Sequence, residues 1–438
     1  MGRKSLFAVA IIVFTVIAAG SIAVAKERTS SFDKKHQDAS VLFLLYDTEI
    51  RINKDWSYVT KIHKRAKVLK EDAQDMGEIP IYYDSNREKI TNLEAFTITP
   101  DNQKHPYSKM QDLNIYDGYP MYSDSRVKVV TLPQVTIGSI LEHKFTMESK
   151  GLPIKNAFWY QFFVDAPVPT KELRFSITMP KSLGIKYKEF GLTRKPKITQ
   201  DKENITYSWI VKDIEPKEDM EDFLPPPTPQ SIEEGIEFSS IKNWVEISNW
   251  YSTLVKKNLK ITPGIEKAVI KIAKDKATAK DKTRAILEYV QKDFRYVSMS
   301  FGDNTLEPHP TDEVFKNKYG DCKDLSLLCK AMLNIVGINS SVCLFNTEFS
   351  LSDPQYDLPI PSLFDHVILL VEDPKGESFY IDPVLKGYDM GEFPLEYQGA
   401  YIFVINDSGG KFAKFPIKKM GLLWWRLSLR GISIPPFN

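Results

Sequence analysis

Three residues stand in an order that can carry out acyl-transfer chemistry. Cys322 lies in the segment Tyr-Gly-Asp-Cys-Lys-Asp (319–324), at the start of a strongly helical stretch. His366 begins an alternating apolar segment, and Asp382 closes the next such segment, just before Pro383. An imidazole that is oriented by a carboxylate can activate a thiol for attack on a carbonyl carbon. Cys322, His366 and Asp382 therefore form a candidate thiol site.

The segment around the thiol predicts the start of a helix. Gly320 and Asp321 are expected to begin it, and the apolar pattern runs to about Val336 before Gly337 ends it. Cys322 then lies in the first turn, where unpaired backbone N–H groups and the helix dipole favour a thiolate. The alternative is a buried structural cysteine, which predicts no particular partners downstream.

The partners are expected on a β-hairpin. The segment 366–371 alternates, the segment 372–377 has turn composition, and 378–382 returns as a second strand. A hairpin centred near Pro374 places positions 366 and 382 directly opposite each other. Their side chains share a face only if the loop is odd in length, such as three or five residues.

These contexts resemble the signature segments of the transglutaminase-like superfamily, which shares its Cys-His-Asp chemistry with papain-type thiol proteases. The resemblance covers roughly residues 240–405, and the cysteine segment is its most specific part. It implies that Cys322 is the nucleophile, His366 the general base and acid, and Asp382 the residue that orients the imidazole. His309, in Pro-His-Pro (308–310), is expected to be structural or to lie at the rim of the site.

The chain from about residue 40 to 223 reads as many short strands, which indicates an antiparallel β-sandwich. The segment from Trp56 to Leu69 alternates, with a basic row of Lys61, His63, Arg65 and Lys67 on one face. A solvated sheet face explains that row better than an anionic partner does. The segments 129–133, 138–142 and 162–169 resemble an all-β domain of unknown function that commonly precedes a transglutaminase-like domain in bacterial exported proteins.

The composition excludes few classes of function, but it bears on nucleic-acid binding and on cysteine pairing. The chain has 438 residues, and its 58 Lys and Arg nearly balance its 57 Asp and Glu, for a net charge of +1. That balance argues against a general attraction to nucleic acid. Three cysteines leave at least one thiol without an intrachain partner. Cys322 is the expected free thiol, while Cys329 and Cys343 are predicted to be buried, with a disulfide between them as an alternative.

The first residues have the pattern of a signal peptide. A short basic start precedes an almost wholly apolar stretch, and Ala-Val-Ala (23–25) fits the cleavage pattern. We expect cleavage near Ala25 and export to the periplasm or the extracellular space, with peripheral association with the cell envelope left open.

The expected fold is α+β: an N-terminal antiparallel β-sandwich followed by a transglutaminase-like, papain-like α+β domain. A Pro-rich segment (224–230) separates a strand-rich part from a helical part, in which helices are expected from Trp244 to Val255, 265–273 and 280–294. The predicted divisions are a signal peptide (1–25), a mature N-terminal segment (26–39), the β-sandwich (40–223), a linker (224–239), the transglutaminase-like domain (240–410) and a tail (411–438).

The chemistry implied is acyl transfer or hydrolysis on peptide or protein amides through a thioester. Water and amines remain alternative acceptors, and peptides, proteins or cell-wall peptides are the expected substrates. This chemistry needs no metal or organic cofactor, and none is expected. The alternative of a metal site at Cys322, His366 and Asp382 would need a fourth ligand and an unpaired carboxylate, and no cysteine-pair motif lies nearby. The alternative function is a non-catalytic binding or scaffold protein of the cell envelope, and the oligomeric state is not indicated.

Overall fold

A computed structural model describes the protein over eight ranges: 31–164, 166–192, 194–216, 234–298, 306–347, 358–373, 376–394 and 397–417. The predicted signal peptide, residues 224–233 of the predicted linker and residues 418–438 of the predicted tail lie outside these ranges.

The N-terminal part is built almost wholly of strands. Its elements are the short helix α1 (Ser31–Lys35) and the strands β1 (Val41–Ile52), β2 (Tyr58–Val68), β3 (Glu78–Asp84), β4 (Glu88–Ile98), β5 (Lys104–Pro106), β6 (Lys109–Asn114), β7 (Ser125–Thr131), β8 (Ile140–Ser149), β9 (Trp159–Phe163), β10 (Thr170–Pro180), β11 (Lys186–Phe190), β12 (Lys197–Gln200), β13 (Asn204–Ile214) and β14 (Gly235–Ser239).

The C-terminal part mixes helices and strands. Its elements are α2 (Trp244–Asn258), α3 (Pro263–Ala273), α4 (Ala279–Asp293), β15 (Arg295–Tyr296), α5 (Thr311–Asn317), β16 (Tyr319–Gly320), α6 (Cys322–Ile335), β17 (Asn339–Phe345), β18 (His366–Glu372), β19 (Ser378–Ile381), β20 (Tyr401–Val404) and β21 (Lys411–Lys414).

One long sheet dominates the N-terminal part, with strand order β12-β13-β10-β1-β2-β8-β4-β5 among the described residues. The smaller sheets β11-β14-β9 and β3-β7-β6 accompany it. The sandwich was predicted to be antiparallel, but β1 and β10 pair in parallel. The two strands are far apart in sequence, so no tight turn forces them to run in opposite directions.

Aromatic packing joins the long sheet to one of the small ones. The Phe175 ring, on β10, stacks on Phe162 of β9 with centroids 4.2 Å apart. It also contacts Trp209 of β13 and Phe238 of β14. A second cluster joins β1, β2 and β8 to β3 and β7 around the buried Val68 and Val130. On β2, Ala66 and Val68 are buried while Lys61 and Lys67, on the other face, are exposed, as the alternation in the sequence predicts.

The predicted basic row on β2 is interleaved with carboxylates. Glu142, on the adjacent strand β8, lies 2.9 Å from His63 Nε2 and 3.2 Å from Arg65 Nε. Lys144 also pairs with Glu142. This arrangement is that of an ordinary sheet face with balanced charge.

Two predicted boundaries are corrected by strand pairing. Residues 235–239 were assigned to the linker, but they form β14, which pairs with both β9 and β11. Residues 411–414 were assigned to the tail, but they form β21, which pairs with β20. Short strands like these carry little local signal. The partners of β14 are distant in sequence, whereas β21 pairs with the preceding strand β20.

The helices follow the apolar periodicity closely, and the predicted α2, α3 and α4 are confirmed to within a few residues. Asn243, Thr262 and Thr278 cap their N-termini through side-chain acceptors. The sheet β19-β18-β17-β20-β21 is antiparallel throughout its described pairs. Ser326 of α6 donates to the Val367 carbonyl of β18 at 3.0 Å, which ties the helix to this sheet.

None of the helices in the described ranges combines the length and the apolar character that a membrane span requires.

The aromatic cluster yields a stability prediction. Phe175→Ala should lower the free energy of unfolding by about 3–5 kcal/mol, because it empties a site that is 1% exposed between two sheets. Urea denaturation followed by circular dichroism measures this. Ile210→Ala is the control, since Ile210 lies on β13 next to Trp209 but is 50% exposed; its effect should stay within about 0.5 kcal/mol. Equal effects of the two substitutions would contradict the packing described.

Candidate active site

The thiol lies at the first residue of a capped helix. Asp321 is the N-cap of α6, and its side chain accepts the Asp324 backbone N–H at 3.2 Å. The Asp324 side chain accepts the Asp321 N–H at 3.3 Å, which completes a capping box. The predicted helix is thus confirmed, and Gly337 follows its end with a φ of 73°. Cys322 is partly exposed, beside the positive end of the helix dipole.

The imidazole and the carboxylate form a buried pair. His366 Nε2 lies 2.7 Å from Asp382 Oδ2, and both side chains are less than a tenth exposed. An ionised carboxylate only accepts hydrogen bonds, so Nε2 carries the proton in this contact. The second Asp382 oxygen accepts the Val384 N–H at 2.9 Å. The carboxylate is therefore held in place from both sides.

Asp382 occupies Nε2, so Nδ1 is the imidazole nitrogen available to the Cys322 thiol, which is close enough to influence the ring. Burial alone would lower the pKa of His366, but the Asp382 charge and the hydrogen bonds to Asp382 and Cys322 raise it well above its usual value. The structure brings the three sequence-predicted site residues together. The arrangement favours an imidazolium next to the sulfur.

The hairpin that carries the pair differs from the prediction by one residue. Leu369 pairs with Ile381 and Glu372 with Ser378, so the ladder is centred on position 375 rather than 374. Strand β18 ends at Glu372 and β19 begins at Ser378, so five residues separate them, which satisfies the condition of an odd loop length. The expectation that positions 366 and 382 lie directly opposite was wrong, because this register sets 382 against 368. Asp382 therefore reaches His366 along the diagonal of the shared face.

Residues from three other elements surround the pair. Gln291 of α4 donates to the main-chain carbonyl of Asp382 at 3.2 Å and to that of Leu385 at 2.9 Å. The Phe345 ring meets the His366 ring edge-on, with centroids 5.2 Å apart. Burial and the nearby Cys322 raise the pKa of the Tyr296 phenol to about 12, so this phenol stays a hydrogen-bond donor at neutral pH. The wall of the site is thus largely aromatic.

A cluster of four charged groups underlies the first turn of α6. Lys323 pairs with Asp321, and His309 Nδ1 lies 3.1 Å from Asp324 Oδ2. Burial acts to raise the pKa of Asp324, but the His309 hydrogen bond and the Lys323 charge outweigh it and lower the pKa to about 2. Burial and the Asp324 charge instead raise the pKa of Asp321. His309 therefore has a structural position apart from the His366–Asp382 pair, as the sequence predicted.

All three cysteines lie in the described ranges and are free thiols, so the alternative Cys329–Cys343 disulfide is excluded in this structure. Burial raises the pKa of Cys329 to about 12 and also raises that of Cys343. Both thiols are predicted to be inert at neutral pH, in contrast to the partly exposed Cys322.

A cleft of about 670 Å³ lies between the strand-rich and helical parts. Its lining includes Tyr58 and Tyr160 on one side and Pro308 and His309 on the other. Cys322 does not line it, but the adjacent Lys323 and the nearby His309 and Tyr122 do. Among the described residues, no group of three or more His, Cys, Asp or Glu side chains is arranged to hold a metal ion.

Sequence reasoning missed several residues of the site. Gln291 and Tyr397 reach it from a helix and a loop that carry no motif, and Tyr397 lies 5.9 Å from the His366 ring. The Asp-x-x-Asp spacing of 321 and 324 was a visible capping signal that pointed to the buried carboxylates.

Comparison with known families agrees with both resemblances. Residues 266–348 match the transglutaminase-like superfamily model, and residues 54–218 match the model of a domain of unknown function, DUF3857. The chain carries a transglutaminase-like core after a DUF3857 domain, within an α+β fold. The matched core includes Cys322 and stops before His366.

Comparison with solved structures finds an extensive similarity of fold. The crystal structure of a "putative protease" from Parabacteroides distasonis is 15% identical, with a TM-score of 0.71, and the match covers 87% of this chain and 72% of that one. At this identity the likeness concerns the fold. An M1 zinc metallopeptidase from Deinococcus radiodurans (11% identical, 45% and 42% covered) has a TM-score of 0.25, which supports no comparison. Comparison with curated proteins gave no match.

The backbone of Gly320 lies very close to Asp324 in the first turn of α6, and this close contact gives a second prediction. A Cβ on Gly320 would lie 2.7 Å from Asp324 Cβ, so Gly320→Ala should displace the start of α6 and destabilise the protein by about 1–3 kcal/mol. Gly264→Ala is the control, because the nearest atom to its new Cβ is 3.5 Å away. Thermal unfolding measures both, and a Gly320→Ala protein as stable as the control would contradict the crowding.

The buried pair gives a third prediction, for pH dependence. The raised pKa of His366 means that its contribution to stability is complete below about pH 6.5 and is lost as pH rises through the folded-state value. Asp382→Asn removes the main cause of that rise, so the loss of unfolding free energy between pH 6 and pH 9 should shrink.

Asp365→Asn is the matched control for this experiment. Asp365 is adjacent to His366 in sequence, but its carboxylate binds the backbone N–H and the hydroxyl of Thr347. Its pH profile should follow that of the parent. Unchanged pH dependence in Asp382→Asn would show that the carboxylate does not hold the imidazolium.

Proposed function

We propose that this protein is an exported thiol enzyme that transfers or hydrolyses acyl groups of peptide or protein amides through a thioester on Cys322. The observation that carries the proposal is the buried His366–Asp382 contact of 2.7 Å beside a thiol at the start of α6. The transglutaminase-like core and the fold shared with the Parabacteroides protein support a thiol-enzyme-like scaffold.

The proposed reaction begins with the Cys322 thiolate and the His366 imidazolium. The sulfur attacks the carbonyl carbon, and the C–N bond breaks as His366 gives its proton to the leaving amine. Water or a second amine then attacks the thioester while His366 accepts its proton. The product acid or amide leaves, and Sγ is regenerated. Asp382 keeps its charge throughout and orients the ring.

Negative charge develops on the carbonyl oxygen in both steps. The Cys322 backbone N–H belongs to the first turn of α6, where N–H groups lack acceptors within the helix. We propose it as one oxyanion donor. No step of this sequence draws on a metal or an organic cofactor.

The proposed substrates are peptides, proteins or cell-wall peptides outside the cytoplasm. The signal-peptide pattern in residues 1–25 supports this location. An amine acceptor would give cross-linking, whereas water would give proteolysis or deamidation.

A fourth prediction tests the activity itself. The parent protein should release peptides from fluorescent casein or attach dansylcadaverine to dimethylcasein, and Cys322→Ala should lose at least about a thousandfold of that rate. Mass spectrometry of quenched reactions should find an acyl adduct on Cys322. Cys329 and Cys343 serve as internal controls, because they are buried in the same chain.

The opposite result identifies a binding module. If iodoacetamide labels Cys322 no faster than the two buried thiols at neutral pH, and Cys322→Ala matches the parent in both assays, the thiol is not a nucleophile. The transglutaminase-like core would then serve as a scaffold.

A further inference from the structure

The loop between β6 and β7 inserts from the strand-rich part beneath the first turn of α6. We call its residues 116–122 the tyrosine clasp. Tyr122 is fully buried, and its hydroxyl donates to Asp324 Oδ2 at 2.9 Å. Burial and the Asp324 charge raise the pKa of Tyr122, so the phenol keeps its proton and remains a donor. A residue from outside the transglutaminase-like core thus adds a hydrogen bond to the capping box of the helix that begins at Cys322.

The same clasp holds His309 in its charged form. His309 Nε2 lies 2.8 Å from the Met121 carbonyl oxygen, while Nδ1 faces the Asp324 carboxylate at 3.1 Å. Neither acceptor has a proton to give, so both ring nitrogens must carry one. Burial opposes that charge, but the hydrogen bond and the charge of Asp324 raise the pKa of His309. The clasp carbonyl therefore helps to keep a cation beside Asp324.

Two more hydrogen bonds connect the clasp to segments near the thiol. The Met121 N–H donates to the Tyr319 hydroxyl, on β16, at 3.1 Å. The Tyr116 hydroxyl donates to the Ser298 carbonyl at 3.2 Å, just beyond β15. Strands β15 and β16 pair with each other immediately before the thiol segment. The clasp therefore contacts β16, which leads directly into α6, and the residue at 298 that follows its paired strand β15.

We propose that the tyrosine clasp is a positioning element for Cys322, so that the reactivity of the thiol depends on the strand-rich domain and not on the transglutaminase-like core alone. Tyr122 is its main residue, and it acts through Asp324. The proposal deepens the proposed function, since it concerns the same nucleophile.

The direction of the effect follows from electrostatics. Asp324 lies two residues after the sulfur, and its carboxylate disfavours a neighbouring thiolate unless donors disperse its charge. Tyr122 is a neutral donor that does this without adding charge. Because the pKa of Asp324 is about 2, the carboxylate stays ionised near neutral pH when the donor is lost. The thiolate fraction should then fall at low pH, while the fully ionised thiol is unaffected at high pH.

A fifth prediction is the pH profile of Cys322 alkylation in full-length Tyr122→Phe. This change removes the hydroxyl and keeps the ring contacts with His309 and Tyr319. Iodoacetamide alkylation, followed by mass spectrometry, should slow about three- to tenfold at pH 6.5 and converge with the parent rate at pH 9. A structural role alone would change both rates equally or neither.

Tyr83→Phe is the matched control. The Tyr83 hydroxyl also donates to a carboxylate, that of Asp112 at 2.7 Å, but both residues lie within the strand-rich domain. Its alkylation profile should equal that of the parent. If Tyr122→Phe does not fold, His309→Gln replaces it, because it removes the imidazolium that bridges Asp324 and the Met121 carbonyl of the clasp; a slowing confined to low pH is again expected.

The outcomes separate the two proposals. A Tyr122→Phe profile equal to the parent's overturns the positioning role, whatever the acyl-transfer assays show. A parent thiol that alkylates like an ordinary cysteine also overturns it, since no enhanced reactivity is then present to be positioned. A low-pH defect in Tyr122→Phe supports the clasp even if no amide substrate is turned over, and in that case only the proposed activity fails.

Discussion

The cluster of charges beneath the first turn of α6 is the constraint on which the candidate site depends. Asp321, Lys323 and Asp324 are almost completely buried, and His309 joins them as a cation. Removing such groups from water costs several kcal/mol each, so the cluster is tolerable only when every member has its partner. Displacement of one member therefore disturbs the others. This mutual dependence fixes where the helix begins and where the sulfur lies.

The cluster also explains why two adjacent carboxylates can coexist there. Asp324 receives donors from His309, from backbone and from Tyr122, so its negative charge is well compensated. Asp321 has Lys323 as its main partner, and its pKa is raised instead. Because their surroundings differ, Asp321 and Asp324 have pKa values shifted in opposite directions and play different roles. Asp324 is the carboxylate that stays ionised, whereas Asp321 is the N-cap residue and pairs with Lys323.

The two parts of the chain are joined through packing as well as through sequence. Strand β14 leads into α2 while it pairs with β9 and β11, and its Ser239 hydroxyl donates to the Pro359 carbonyl of the helical part at 2.6 Å. The tyrosine clasp makes a second junction near the thiol. The strand-rich domain is thus a direct neighbour of the candidate site, and a description of that site limited to Cys322, His366 and Asp382 omits part of its support.

Local patterns in the sequence determined the helix that begins at the thiol, its end at Gly337, the presence of a hairpin that begins at His366, and the identity of the three candidate residues. These features depend on neighbours a few positions away, so spacing and residue type suffice to predict them. Tertiary structure alone decided the parallel pairing of β1 with β10, the centre of the hairpin at 375, the strands β14 and β21, and the insertion of Tyr122 next to Asp324. The β1–β10 pairing, the partners of β14 and the Tyr122 contact depend on distant segments, and the energy of such contacts comes from packing and burial that no local pattern records. The hairpin centre and β21 depend on the pairing of short neighbouring strands, whose register residue types specify only weakly.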